Sequence, residues 1–183
     1  MAGRLTFVLG GARSGKSTWA QSWAEAQACP VLFVATAQAF DDEMQSRIAR
    51  HQAERPATWR TLEQPLGVGA ALLAQPPTEN AVVVDCLTLL VSNVLLALSE
   101  TAHQDEVNGA VMAEMESLLA AQRNTPAHWL IVSNEVGMGI VPPTRLGRFY
   151  RDALGYANQS IARAADEVLL LVAGLPWRLK TPD

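Results

Sequence analysis

Short apolar runs alternate along the chain with stretches of helical periodicity. The runs Leu5–Leu9, Val31–Ala35, Trp59–Thr61, Ala81–Val84, Trp129–Ser133 and Val168–Val172 read as strands. Trp177–Leu179, after a Gly174/Pro176 turn, reads as a short closing edge strand. The VVV and LLLV runs are continuous rather than alternating, which marks strands buried on both faces, as in parallel sheets. Helices are predicted from Gly15 to about Ala28, from near Asp41-Asp42-Glu43, and over Gly67–Ala74, Leu87–Leu98, Gln104–Arg123 and Arg145–Ala165. Trp19 and Trp23, four apart, share a helix face, and the acidic trio suits a helix N-terminus. This alternation predicts an α/β fold with a mostly parallel central sheet flanked by helices. Pro76-Pro77 and Pro142-Pro143 mark loops, no repeat is present, and the 183 residues fit one domain over 1–183.

Composition narrows the class. With 49% hydrophobic and 17% charged residues the chain is not disordered. The long apolar run Ala81–Leu98 contains Asp85, Ser92 and Asn93, so a buried strand followed by a helix explains it better than a membrane span. The net charge of -4 argues against a nucleic-acid partner. Cys29 and Cys86 form no C-x-x-C pair, no secretory leader is legible, and Ala2 excludes N-myristoylation. The expectation is a cytoplasmic protein acting on small molecules. Of the 14 basic residues, Lys16 and Lys180 are the lysines and the rest are arginine.

Lys16 stands in Gly10-Gly11-Ala12-Arg13-Ser14-Gly15-Lys16-Ser17, a complete G-x-x-x-x-G-K-[ST] phosphate-binding loop placed between a strand and a helix. Its glycines let backbone N–H groups turn toward phosphate oxygens, and the helix N-terminus adds positive potential. Lys16 would reach the β- and γ-phosphates, and the Ser17 hydroxyl would ligate Mg²⁺. Val82-Val83-Val84-Asp85 supplies a carboxylate at the end of a strand. Asp85 suits the same Mg²⁺ and also suits the cap of the helix from Leu87. No N-K-x-D or L-S-G-G-Q follows, which leans toward a small-molecule kinase or another small transferase.

Of the three histidines, His51 has distinctive neighbours. On a helix it shares a face with Met44 and Ile48, Arg47 and Arg55 flank it four residues to either side, and Arg50 and Arg60 are near in sequence. Cations hold an imidazole neutral. A neutral imidazole nitrogen is a nucleophile toward phosphorus, and arginines stabilise the phosphates around it. The spacing fits equally a half-buried structural histidine beside solvated arginines. Ser133-Asn134-Glu135-Val136-Gly137-Met138-Gly139 follows an apolar strand, at the edge where open α/β sheets bind ligands. Glu135 there suits orienting a hydroxyl, binding a metal, or a surface ion pair. Arg145, Arg148 and Arg151 fall together on the next helix, for phosphate or for solvent.

Together GGARSGKS, ATAQAFDDEMQSRIARHQAERPATWRTLE and SNEVGMGIVP resemble the bifunctional adenosylcobinamide kinase / adenosylcobinamide-phosphate guanylyltransferase family over nearly the whole chain. The resemblance implies a RecA-like P-loop fold and homo-oligomers, reportedly trimers. It implies phosphorylation of adenosylcobinamide by ATP or GTP, then GMP transfer from GTP through a guanylylated histidine, matched by His51. It places nucleotide contacts on Gly10, Gly11, Ala12, Arg13, Ser14, Gly15, Lys16 and Ser17. It adds Ala35, Thr36 and Ala37, then Gln52, Ala53, Glu54 and Arg55, with Glu63 and Asp85. Where the family often has a basic residue after the histidine, this chain has Gln52. The competing expectations are a monofunctional P-loop kinase and a nucleotide-binding regulator without transfer chemistry.

Overall fold

Strands without polar alternation must be covered on both faces, and the computed structural model shows them so. It describes residues 3–38, 45–46, 52 and 55–182. In chain order the elements are β1 (Leu5–Gly10), α1 (Lys16–Ala26), β2 (Val31–Ala35), β3 (Arg60–Glu63), α2 (Val68–Ala74), β4 (Ala81–Asp85), α3 (Leu87–Ala97), α4 (Gln104–Arg123), β5 (His128–Val132), α5 (Arg145–Ala164), β6 (Glu167–Val172) and β7 (Leu175–Lys180). The strands form a seven-stranded sheet in the order β3-β2-β4-β5-β1-β6-β7. All pairings are parallel except that of β7 with β6. The β6–β7 hairpin turns through Ala173 and Gly174, whose φ of 52° and 83° match the two positive values that a tight hairpin turn requires.

Successive residues of each strand go to opposite layers. Leu5, Phe7, Leu9, Leu32, Val34, Val82 and Val84 pack with α2, α3, α4 and α5. Val8, Val31, Phe33, Val83, Leu130 and Leu169 pack with Ala20 and Ala24 of α1, flanked by Trp19 and Trp23. The single face that the Trp19/Trp23 spacing implies is therefore the one α1 lays on the sheet. Among the described residues no helix is long and apolar enough to cross a membrane.

The predicted third strand, Trp59–Thr61, is displaced. It runs Arg60–Glu63, and Trp59 instead stacks on Phe33 with ring centroids 6.2 Å apart. The last strand is twice the length expected, because Pro176 sits on an outer edge where its missing N–H leaves no ladder bond unmade. The helix expected near Asp41-Asp42-Glu43 lies outside the described residues but for Gln45, Ser46 and Gln52.

Helix α2 is short and held by its neighbour α4. Glu114 accepts the N–H groups of Gly67 and Val68 at 3.2 and 2.8 Å, satisfying donors at the helix start. Gly69 faces α4 so closely that a Cβ would lie 2.2 Å from the Ser117 carbonyl carbon. Gly69→Ala is expected to cost about 1–3 kcal/mol through overpacking, read as a lowered urea midpoint with unchanged slope.

Candidate active site

Parallel pairing brings the C-terminal ends of β1, β2, β4 and β5 to one edge, with β5 between β1 and β4. At that edge β1 ends at Gly10, and the chain turns through Gly11, Ala12, Arg13, Ser14 and Gly15 into α1. Gly10 has no room for a side chain, because a Cβ would sit 2.5 Å from Ser14 Oγ and 2.6 Å from the Leu171 carbonyl oxygen. Gly15, at φ 95°, adopts a backbone that L side chains disfavour. The Gly174 N–H donates to the Ser14 carbonyl at 2.9 Å, so the β6–β7 turn props the loop from below.

Lys16 lies under this loop with 7% of its surface exposed. Its Nζ donates to the Gly11 carbonyl at 2.6 Å and approaches Ser14 Oγ at 3.4 Å. Burial holds its pKa below the ordinary lysine value, against the opposing pull of Cys86 and Asp85. A desolvated ammonium held by neutral oxygens gains from the arrival of anionic ones, which is what a phosphate offers. Ser17 follows, exposed in the first turn of α1.

Asp85 closes β4, in register with Ala35 of β2 and Val132 of β5. Fully buried Thr36 fixes the peptide beyond it. Its hydroxyl donates to the Cys86 carbonyl at 2.7 Å and accepts the Cys86 N–H at 2.9 Å. Its N–H donates to the Asp85 carbonyl at 3.2 Å, and its own carbonyl accepts from Asn93 Nδ2 at 2.8 Å. The hydroxyl and N–H of Thr36 thus pin the backbone of the Asp85–Cys86 segment. Burial first, and then the neighbouring Asp85 charge, push the Cys86 thiol up to about 12, so this cysteine is a neutral wall of the site. Buried Ala35 and half-exposed Ala37 flank Thr36.

Arg55 lies at the same edge. Its guanidinium carbon is 3.8 Å from the centroid of the Phe33 ring. Burial lowers its pKa, opposed by Asp85 and Glu63. Its Nη1 is buried with no hydrogen-bond partner among the described residues. A buried, unmade donor is costly, and an anionic oxygen would satisfy it. Glu63, ending β3 in register with Ala35, accepts a hydrogen bond from Gln52 Nε2. His51, Ala53 and Glu54, with Arg47 and Arg50, lie outside the described residues.

Beyond β5 a network of polar side chains sets the next segment. Ser133 Oγ donates to Asn158 Oδ1 at 2.7 Å, and Asn158 Nδ2 donates to the Asn134 carbonyl at 3.0 Å. The Asn134 N–H donates to Thr88 Oγ1 at 2.8 Å, and the Glu135 N–H to the Gly10 carbonyl at 3.1 Å. The arginine trio on α5 is otherwise engaged. Arg145 donates to the Ala102 carbonyl, Arg148 to those of Pro142 and Pro143, and Arg151 pairs with Asp152. His128 is the first residue of β5, edge-on to Trp23 at 4.7 Å. Thr36 as a clamp, and Thr88, Asn93 and Asn158, are positioning residues that the motifs alone do not identify. The legible signal for Thr88 and Asn93 is a polar residue inside an otherwise apolar helix, which must find a partner; Asn158, in an amphipathic helix, carries no such signal.

Among the described residues no group of three or more His, Cys, Asp or Glu gathers around a metal position. Ser17 and Asp85 nevertheless offer hard oxygen donors. Mg²⁺ is commonly held by such a pair, with phosphates and water completing its shell.

A glycine-cradled lysine, a strand-end carboxylate and one strand between them define a P-loop nucleotide-binding protein. The family described as cobinamide kinase / cobinamide phosphate guanyltransferase matches residues 6–179, and the chain belongs to it. It is 44% identical over 173 residues to the bifunctional adenosylcobalamin biosynthesis protein CobP of Pseudomonas aeruginosa, covering 94% of this chain and 95% of that one. It is 41% identical over 181 residues to the corresponding CobU protein of Salmonella typhimurium, covering 96% and 99% of the two chains. With the CobU protein of Escherichia coli the identity is 40% over the same length and coverage.

Two expectations follow. Thr36→Val keeps the shape but strands the Cys86 N–H and carbonyl, so it should cost about 2–4 kcal/mol in urea unfolding and weaken triphosphate binding. Lys16→Met should abolish the thermal stabilisation that triphosphate confers. Because the folded-state pKa of Lys16 is lowered, its charge opposes folding below that pKa. The opposition fades as pH rises toward 10.5. Wild type without nucleotide should therefore gain stability over Lys16→Met through that window, measured by thermal unfolding against pH.

Proposed function

We propose that this chain phosphorylates adenosylcobinamide with ATP or GTP and then transfers GMP from GTP to the resulting phosphate, giving adenosylcobinamide-GDP. The observation that carries the reading is the convergence on one sheet edge of buried Lys16, strand-end Asp85 and an Arg55 donor without a partner among the described residues, in a chain of this family. Lys16 and Arg55 gain from triphosphate oxygens, Asp85 would face them across a bound cation, and together the three span a site for one nucleotide.

In this reading the backbone of Gly10, Gly11, Ala12, Arg13, Ser14 and Gly15 cradles the phosphates, and Lys16 neutralises charge that builds on the transferring group. Ser17 and Asp85 hold Mg²⁺, which supplies charge neutralisation and alignment of the phosphates when bound. Ala35, Thr36, Ala37, Gln52, Ala53, Glu54, Arg55 and Glu63 form the nucleoside side of the site. In the second reaction an imidazole nitrogen of His51 attacks the α-phosphorus of GTP and pyrophosphate leaves. The substrate phosphate then attacks the guanylylated histidine, the P–N bond breaks and the imidazole is restored. One domain carries both steps in the cytoplasm, with small-molecule partners and no nucleic acid.

We place the chain in a homo-oligomer, a trimer. In support, Leu175, Trp177 and Leu179 of β7 are 73%, 65% and 52% exposed on a sheet edge that a lone chain leaves bare.

Incubation with GTP labelled at the α-phosphate tests the covalent step. Wild type should acquire an acid-labile, alkali-stable adduct, as a phosphoramidate does, and His51→Ala should not. Equal labelling of the two proteins would refute the histidine route.

A further inference from the structure

The two reactions differ in what they ask of a base. In the first, the nucleophile is an alcohol, and its proton must leave as the oxygen bonds to phosphorus. In the second, the incoming nucleophile is an already ionised phosphate and needs no base. A group that serves the first reaction alone should therefore exist near the γ-phosphate position, distinct from those that hold the nucleotide.

Among the described residues the strand ends of the site offer Glu63, Asp85 and, just past β5, Glu135. Glu63 lies on β3, two strands from Asp85 on β4, and receives Gln52. Asp85 lies within the charge field of Lys16 and belongs with the metal and phosphates. Glu135 follows the strand that separates the phosphate loop from Asp85. Its N–H donates to the carbonyl of Gly10, the first residue of the loop, at 3.1 Å. Its Oε1 accepts the Gly137 N–H at 2.6 Å, which restrains the carboxylate, and the residue remains half-exposed toward solvent. The residues before it are not a loose loop. Buried Ser133, Asn158 and Thr88, with Tyr150 donating to the Thr88 carbonyl at 3.4 Å, fix the backbone from which Glu135 projects.

We propose that Glu135 is the proton acceptor of the phosphorylation step, resting on the two-reaction reading above. The substrate hydroxyl oxygen attacks the γ-phosphorus, and the bond from that phosphorus to the β–γ bridging oxygen breaks. The nucleoside diphosphate leaves with the electron pair, and the hydroxyl proton passes to the Glu135 carboxylate and then to water. The Gly137 N–H holds one carboxylate oxygen, so the other takes the proton. Guanylyl transfer proceeds without Glu135.

The test is to measure the two reactions separately in Glu135→Gln, a variant that keeps shape and hydrogen-bonding length. Phosphorylation of adenosylcobinamide should fall by about 10²–10⁴ in kcat with the nucleotide KM little changed. Guanylyl transfer to preformed adenosylcobinamide phosphate should stay within about threefold of wild type, because its nucleophile arrives ionised. Glu135→Asp should recover part of the first rate. Equal loss in both reactions would overturn the proposal by showing that Glu135 merely supports the phosphate loop. So would an unchanged phosphorylation rate. Wild-type protein that performs neither reaction would instead refute the two-reaction reading, and the proposal with it.

Discussion

The parallel pairing of β1, β2, β4 and β5 is the constraint from which the site follows. Strands that run the same way end on the same edge, and their connecting helices return the chain to the opposite one. The loop after β1, the Thr36 segment after β2, Asp85 at the end of β4 and Glu135 after β5 therefore meet without any of them being near another in sequence. The inserted β5 matters most. It separates β1, which leads into the Lys16 loop, from β4, which ends in Asp85, and Glu135 follows from its own C-terminal end. Reversing one of these strands would send its functional residue to the far side of the sheet.

Electrostatics then explains why this edge waits for an anion. Lys16 is desolvated beneath a loop that offers it only a carbonyl and a hydroxyl, and Arg55 carries a buried N–H with no acceptor among the described residues. Both cations have their pKa lowered by burial, and Asp85 opposes the shift in each. The folded chain thus keeps two poorly solvated positive charges close to Asp85, with Glu63 also acting on Arg55, an arrangement that a polyphosphate completes. The chain's negative net charge does not contradict this, because binding depends on the local field at the edge and not on the sum over the surface.

The parts of this site legible in the sequence are those whose geometry is local. A glycine-rich loop between strand and helix must turn its N–H groups inward, so Gly10 through Ser17 could be read directly. Continuous apolar runs announced the doubly covered strands. Long-range polar pairings were not legible. Thr36 meets Cys86 across 50 residues, and Ser133 meets Asn158 across 25. Both belong to segments whose relative placement only the sheet decides. Trp59 looked like strand because it is apolar and aromatic, yet it serves by stacking on Phe33 under Arg55. Pro176 hid the true length of β7, since a proline is excluded from a strand only where its N–H is needed. The arginines of α5 read equally as phosphate ligands or as solvated residues, and the hydrogen bonds they make to backbone carbonyls and Asp152 were not legible. His51 lies outside the described residues, and its role rests on the arginine-rich pattern around it and on the family.

The central claim is that a single phosphate site serves both reactions. Equilibrium binding of GTP in the presence of increasing ATP tests it most directly. The account predicts one triphosphate per chain, with ATP displacing GTP competitively and neither nucleotide binding measurably to Lys16→Met. Simultaneous saturation by both nucleotides, or GTP binding that survives Lys16→Met, would contradict it.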